Sequence, residues 1–204
     1  LVETLREKNK RGSLLWVLDK TKTAMGGRLL RSFLEQPLIS RSEMEERLDA
    51  VEAFCKDPLS RDELREYLAP IYDMERLLGK VSYKTANPRD LLAFRSSMEM
   101  LPHIKTVLRN LPGAANQKIE EEIDGLEDLY ELIQMSIEEE PPITIREGGI
   151  IKEGYNQDVD NLRRAKTEGK NWLAQLEDSE RERTGIRNLK VKYNKVFGYY
   201  LEVT

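Results

Sequence analysis

The sequence has 204 residues but only one cysteine and one histidine. A lone Cys55 excludes an internal disulfide, which fits a reducing compartment. Set in "LDAVEAFC", it reads as a small buried thiol beside a helical apolar stripe. With only His103 available, a Cys–His nucleophile or a His-based metal site would rest on single residues, and no partner that would orient His103 as a base can be named. Aromatic residues make up 7% of the chain and charged residues 34%, a balance that favours a helix-rich protein over a β-sandwich. Long apolar runs are missing too. The longest, Leu14 to Leu18, falls far short of the roughly 20 residues that cross a bilayer, so no membrane partner is expected. "LVETLREKNKRG" is charged where a signal peptide would be apolar, and a start at Leu1 rather than Met reads as a piece of a longer protein. There is no phosphate-binding loop, Cys-x-x-Cys pair or Ser–His–Asp set, so no catalytic residue, metal ligand or cofactor-binding residue is assigned.

What is present is unevenly distributed. The formal net charge is −4, yet Lys118 to Glu140 holds ten acidic residues and one lysine. Thr184 to Phe197 holds Arg187, Lys190, Lys192 and Lys195 and no acid, and Leu1 to Arg31 holds eight basic residues against three acidic ones. The chain as a whole is therefore not a general nucleic-acid binder, but two local basic zones are candidates for phosphate contact.

Most of the chain reads as helix. Ser13 caps a first helix, which "TAMGG" interrupts. "RLLRSFLEQPL" puts Leu29, Leu30, Phe33 and Leu34 on one face and stops before Pro37. Ser40, with Glu43 at capping-box distance, opens a helix with the stripe Met44, Leu48, Val51 and Phe54. Pro58 and Asn87-Pro88 start further helices, and Gly79 reads as a residue just past a helix end. An acidic helix is expected from Gln117 to about Ser136, and two very short strands or a β-turn around "ITIREGGII". Asn156 or Asp158 then caps a long polar helix to about Arg183, ended by Gly185. Its narrow seam of Val159, Leu162, Ala165, Gly169, Leu173 and Leu176 suits one partner helix rather than a core.

The last stretch, "VKYNKVFGYYLEVT", alternates. Leu189, Val191 and Tyr193 oppose Lys190, Lys192 and Asn194; after the glycine, Tyr199, Leu201 and Val203 oppose Tyr200, Glu202 and Thr204. This predicts a β-hairpin. The fold class is thus mainly α: a helical core domain over residues 1–155, then, over residues 156–204, a long protruding helix leading to a small truncated hairpin. The hairpin lysines suit a phosphate backbone, while its tyrosines could stack on unpaired bases or pack a small sheet.

"GSLLWVLDKTKTAMGGRLLRSFLEQPL", "DMERLLGKV", "NPRDL", "GGIIKEGYN" and "RERTGIRNLKVKYNKVFGYYLEVT" resemble, in order, the middle of the MutS family of DNA mismatch-repair proteins, in a bacterial form. The resemblance implies a lever domain and the start of a clamp domain. It also implies a non-catalytic role for this span: coupling the state of a distant ATPase domain to clamp closure on DNA. Lys190, Lys192, Asn194 and Lys195 become the candidates for contact with the backbone of double-stranded DNA, with little or no binding by this span alone, and the tyrosines become packing residues. ATP with Mg, a MutS homodimer and MutL are implied for the full-length protein, with no cofactor in this span, and the location would be cytoplasmic. Phe33-Leu34-Glu35 matches the family's mismatch-reading Phe-x-Glu by letters only. It sits inside the lever motif, so Phe33 is expected in the core. A different class of reading, a helical protein-interaction scaffold with no nucleic-acid role, would use the acidic face and the long helix to bind partner helices.

Overall fold

The computed structural model describes residues 1–196 and 198–203, and divides into two compact units, residues 1–150 and residues 151–204. Phe197, expected in the hairpin loop, and Thr204, expected on the face opposite Tyr199, Leu201 and Val203, lie outside the described residues.

The first unit is built of helices whose starts are written in short polar residues. Ser13 accepts a hydrogen bond from the Trp16 N–H and opens α1 (Leu14–Leu18). Thr23 caps α2 (Ala24–Glu35) through the Gly26 N–H, at 3.0 Å. "TAMGG" therefore starts a helix instead of interrupting one, because the cap satisfies the first turn in which both glycines lie. Helix α3 (Arg41–Lys56) begins after Ser40, whose hydroxyl pairs with Ser42 Oγ at 3.0 Å and makes no capping bond, so the expected capping box with Glu43 does not form. Asp57, with Pro58 in the first turn, starts α4 (Pro58–Leu68), and Asp73 starts α5 (Met74–Ser82). Gly79 lies inside α5; the left-handed residue beyond its end is Lys84, at φ 57°. Asn87 and Asp90 form a full capping box at α6 (Pro88–Met98). Helices α7 (Leu101–Asn110), α8 (Ala114–Glu122) and α9 (Glu127–Ser136) complete the series.

The acidic stretch is two helices, not one. Asp124 accepts from the Leu126 N–H at 3.0 Å, giving the backbone a local alternative to the helical ladder, and Leu126 takes φ 54°. Lys105 Nζ donates to the freed Ile123 carbonyl at 2.7 Å. The break turns Ile123 and Leu126 inward. Of the two forms expected around "ITIREGGII", it is a turn that appears and not a pair of strands, while the Glu138 N–H donates to the Ile150 carbonyl at 2.8 Å. Thr144 and Glu147 close a capping box on a 3-10 turn, Ile145–Glu147.

The unit's interior has two centres. Ile71, Ile104 and Leu108 gather Met25, Phe54, Leu64 and Leu68. Met98, Ile133 and Ile137 gather Leu91, Phe94, Leu101 and Ile150. Between α6 and the chain entering α5, fully buried Ser97 accepts from the Tyr72 N–H at 3.0 Å and donates to the Ala93 carbonyl at 2.9 Å. Three apolar residues that the periodicity placed on a core face are elsewhere. Met44, Leu48 and Val51 of α3 are 39%, 64% and 57% exposed; of the expected stripe only Phe54 packs inward, because α3 turns Ala53 and Phe54 to the core. Cys55, expected to be buried beside that stripe, is exposed for the same reason. Phe33 is not core either. It is partly exposed, with the Arg47 guanidinium 3.8 Å from its ring centre.

In the second unit, Asn156 accepts from the Asp158 and Val159 N–H groups and opens α10 (Gln157–Thr184). Gly185, at φ 68°, ends it in the left-handed conformation. At 28 residues the helix is about 42 Å long. No residue of α10 is buried. Strands β1 (Leu189–Asn194) and β2 (Gly198–Val203) pair antiparallel, Leu189 with Val203 through to Asn194 with Gly198.

Candidate nucleic-acid interface

The pairing register sorts the hairpin into two faces, because successive residues of a strand point to opposite sides. Leu189, Val191 and Tyr193 meet Val203, Leu201 and Tyr199 on one face. The Tyr193 and Tyr199 rings lie 5.1 Å apart at 60°, a cross-strand aromatic pair that stabilises the register even though both rings remain largely exposed. Lys190, Lys192 and Asn194 meet Glu202, Tyr200 and Gly198 on the other face.

Each candidate residue has a different environment. Lys192 is ion-paired with Glu202, and the hydrogen bond and charge of that carboxylate raise its pKa, so it is firmly cationic. Lys190 lies directly across from Glu202, whose carboxylate is engaged by Lys192. Among the described residues neither Lys190 nor Lys195 has a carboxylate partner, and both are exposed. Asn194 is a turn residue: its side-chain oxygen accepts from the Val196 N–H at 2.7 Å, which holds the loop that carries Lys195. Three lysines against one glutamate leave the described residues of the hairpin net positive, from Lys190 near its open end to Lys195 in its turn.

The hairpin is fastened to its own helix. Glu177 Oε2 accepts from the Val191 N–H at 2.8 Å, and Arg181 Nε donates to the Leu189 carbonyl, also at 2.8 Å. The same two side chains form an ion pair, and Arg181 also reaches Asp178 at 3.3 Å. Leu189, 3% exposed, is the one buried side chain among the described residues of the hairpin. Sequence reasoning missed Glu177 and Arg181. The visible signal was a Glu–Arg pair four residues apart, which ordinarily stabilises only its own helix.

Other candidates resolve into structure. His103 lies on α7, with its ring stacked on Tyr67 at 5.0 Å and 18°. Among the described residues no three His, Cys, Asp or Glu side chains gather as metal ligands, and no helix is long and apolar enough to cross a membrane.

The architecture is thus of a recognisable class: a unit of short capped helices, and a unit in which a long solvent-exposed helix holds a small basic hairpin. The family model for MutS domain III matches residues 1–196. Over its whole length the chain is 66% identical to the DNA mismatch repair protein MutS of Lachnoclostridium phytofermentans and covers 22% of that protein. It is 54% and 55% identical to the proteins of the same name from Acetivibrio thermocellus and Ruminiclostridium cellulolyticum, covering 23% of each. The chain belongs to the MutS family, as its domain III, and spans between a fifth and a quarter of the length of the curated relatives it matches.

Proposed function

We propose that this chain serves DNA mismatch repair as the lever and the opening of the clamp of a longer MutS protein. Residues 1–155 form the helical lever body; residues 156–204 form the lever helix and the first hairpin of the clamp. The span performs no catalysis. It couples the state of an ATPase domain, which holds ATP and Mg elsewhere in the full-length protein, to closure on double-stranded DNA. It works in the cytoplasm, within a MutS homodimer that signals to MutL. The observation that carries the DNA contact is the net positive charge along the hairpin: Lys190 and Lys195 without acidic partners among the described residues, on either side of a paired but cationic Lys192. Such groups hold a phosphate backbone without reading sequence, as a clamp requires.

The test is a salt titration of duplex binding by the full-length protein. Replacing Lys190, Lys192 and Lys195 with alanine should weaken binding and flatten the dependence of log K on log salt by about 2, since each phosphate contact contributes about 0.9 and Lys192 is partly compensated by Glu202. An unchanged slope would remove the hairpin from the interface. The scaffold reading draws support from the exposed Met44, Leu48 and Val51 of α3, an apolar stripe of the kind that docks on protein. Capture of a protein partner through that stripe, insensitive to nuclease and accompanied by a flat lysine result, would favour it.

A further inference from the structure

An antiparallel strand turns alternate backbone groups toward its partner and the intervening ones away from it. In β1 the Leu189 carbonyl and the Val191 N–H face away from β2, and both are taken by α10. Glu177 supplies the acceptor and Arg181 the donor that a neighbouring strand would otherwise provide. The two side chains are one helical turn apart and hold each other through their ion pair, so the spacing of the acceptor and donor is fixed before the strand arrives. Each is about three-quarters shielded from water, with exposures of 24% and 31%, which makes these charge-assisted bonds stronger than surface ones. The bonds grip β1 from behind, at the positions flanking Lys190.

We propose that Glu177 and Arg181 are positioning residues: a clasp that fixes the orientation of the hairpin on the end of α10 and so aims Lys190, Lys192 and Lys195. They touch no ligand themselves. Without the clasp the hairpin keeps its pairing and its lysines, but loses its fixed angle to the helix. A movement of α10 then no longer becomes a movement of the lysines, and binding must restrict a wobbling element at an entropic cost. The aiming role rests on the DNA-contact reading above; the clasp itself does not.

The experiment combines site-resolved amide hydrogen exchange with duplex titration of the full-length protein. Glu177→Ala should speed exchange at the Val191 amide about fivefold or more, as expected for one lost hydrogen bond. The neighbouring Lys190 and Lys192 amides, which face β2, should keep their protection. Glu177→Gln, which keeps an acceptor without the charge, should restore most of the Val191 protection. Arg181→Leu and Glu177→Ala should each weaken duplex affinity by about tenfold while leaving the salt slope unchanged, because no phosphate contact is lost. Unchanged Val191 exchange in Glu177→Ala overturns the clasp. Equal acceleration at Lys190 and Lys192 also overturns it, since the side chain would then support the hairpin as a whole. If exchange responds and the triple-lysine variant flattens the slope, but Glu177→Ala binds normally, the aiming role falls. If the lysine variant itself leaves the slope unchanged, the DNA reading and the aiming role fall together, while the exchange result still reports the clasp.

Discussion

Residues 1–150 and residues 151–203 are both mostly helical, but they are held by different forces. The first unit buries Met98, Ile104, Val107, Leu108 and Leu111 to 6% exposure or less, while the 28-residue α10 buries nothing. One unit is stabilised by removal of apolar surface from water, a long-range and cooperative term. The other is stabilised by a cap at each end, by ion pairs along its surface such as Asp160–Arg163 and Glu180–Arg183, and by the clasp on β1. These are local terms worth a few tenths to about 1 kcal/mol each. The contrast is between a body held by burial and a helix with its hairpin held by local bonds.

Met98→Ala tests the contrast most severely. Met98 is 1% exposed and packs at the centre that joins α6 to α9. Truncation should cost about 2–5 kcal/mol, since it combines lost transfer energy with a cavity that the crossing helices cannot fully close. Thermal unfolding followed by circular dichroism should show a large fall in Tm, while exchange protection of the β1–β2 amides stays unchanged. A loss below about 1 kcal/mol would mean that this centre is looser than its burial indicates.

What could be read from sequence divides along the same line. Caps were legible at Ser13, Asn87, Asn156 and Gly185 because each depends on one residue and its nearest neighbours. The hairpin was legible because alternation and a glycine specify it locally. The exposure of Met44, Leu48, Val51 and Cys55 was not, because periodicity identifies an apolar face without saying what covers it. Phe33 went wrong in the same way. The acidic stretch misled for the opposite reason: Asp124, read as one more surface charge, closes the turn that divides α8 from α9. In the candidate site the lysine face followed from parity, and the Lys192–Glu202 pair is cross-strand geometry that the register makes visible. Glu177 and Arg181 could not be found, since their bonds to Val191 and Leu189 cross a helix end and a turn.

Acid should separate the units next. Asp19 is held down to about 2 by hydrogen bonds from Lys10 and Thr21. Asp57 is lowered by Ser60, Asp73 by Arg28, and Glu147 by Thr144. In the second unit Glu180 is lowered by Arg183. A carboxylate whose folded pKa lies below its unfolded value adds stability that is fully present above the unfolded value and is lost as pH falls through the folded one. Stability should therefore fall between about pH 4 and pH 2, with more of these groups at stake in residues 1–150. Exchange protection measured across that range should drop around Asp73 and Arg28, the bidentate tie between α2 and the start of α5. Persistence of Asp19→Asn stability relative to the parent at neutral pH would show that its ionised form contributes nothing.

The smallest effect probes the locally held unit alone. Gly185→Ala places a side chain at φ 68°, where an L-residue is disfavoured by about 1–2 kcal/mol. Part of that cost can be relieved by unwinding the last turn of α10, which carries Arg181 and Thr184. Exchange should therefore accelerate at the last-turn amides and, through the loosened Arg181, at β1. Amides within residues 1–150 should not respond. Gly185→Asn should be milder, because asparagine tolerates the left-handed region. If Gly185→Ala instead destabilised both units equally, the distinction between a cooperatively packed body and a locally stapled helix and hairpin would be wrong. If neither moved, the turn after α10 would be adaptable, and the clasp alone would have to set the direction of the hairpin.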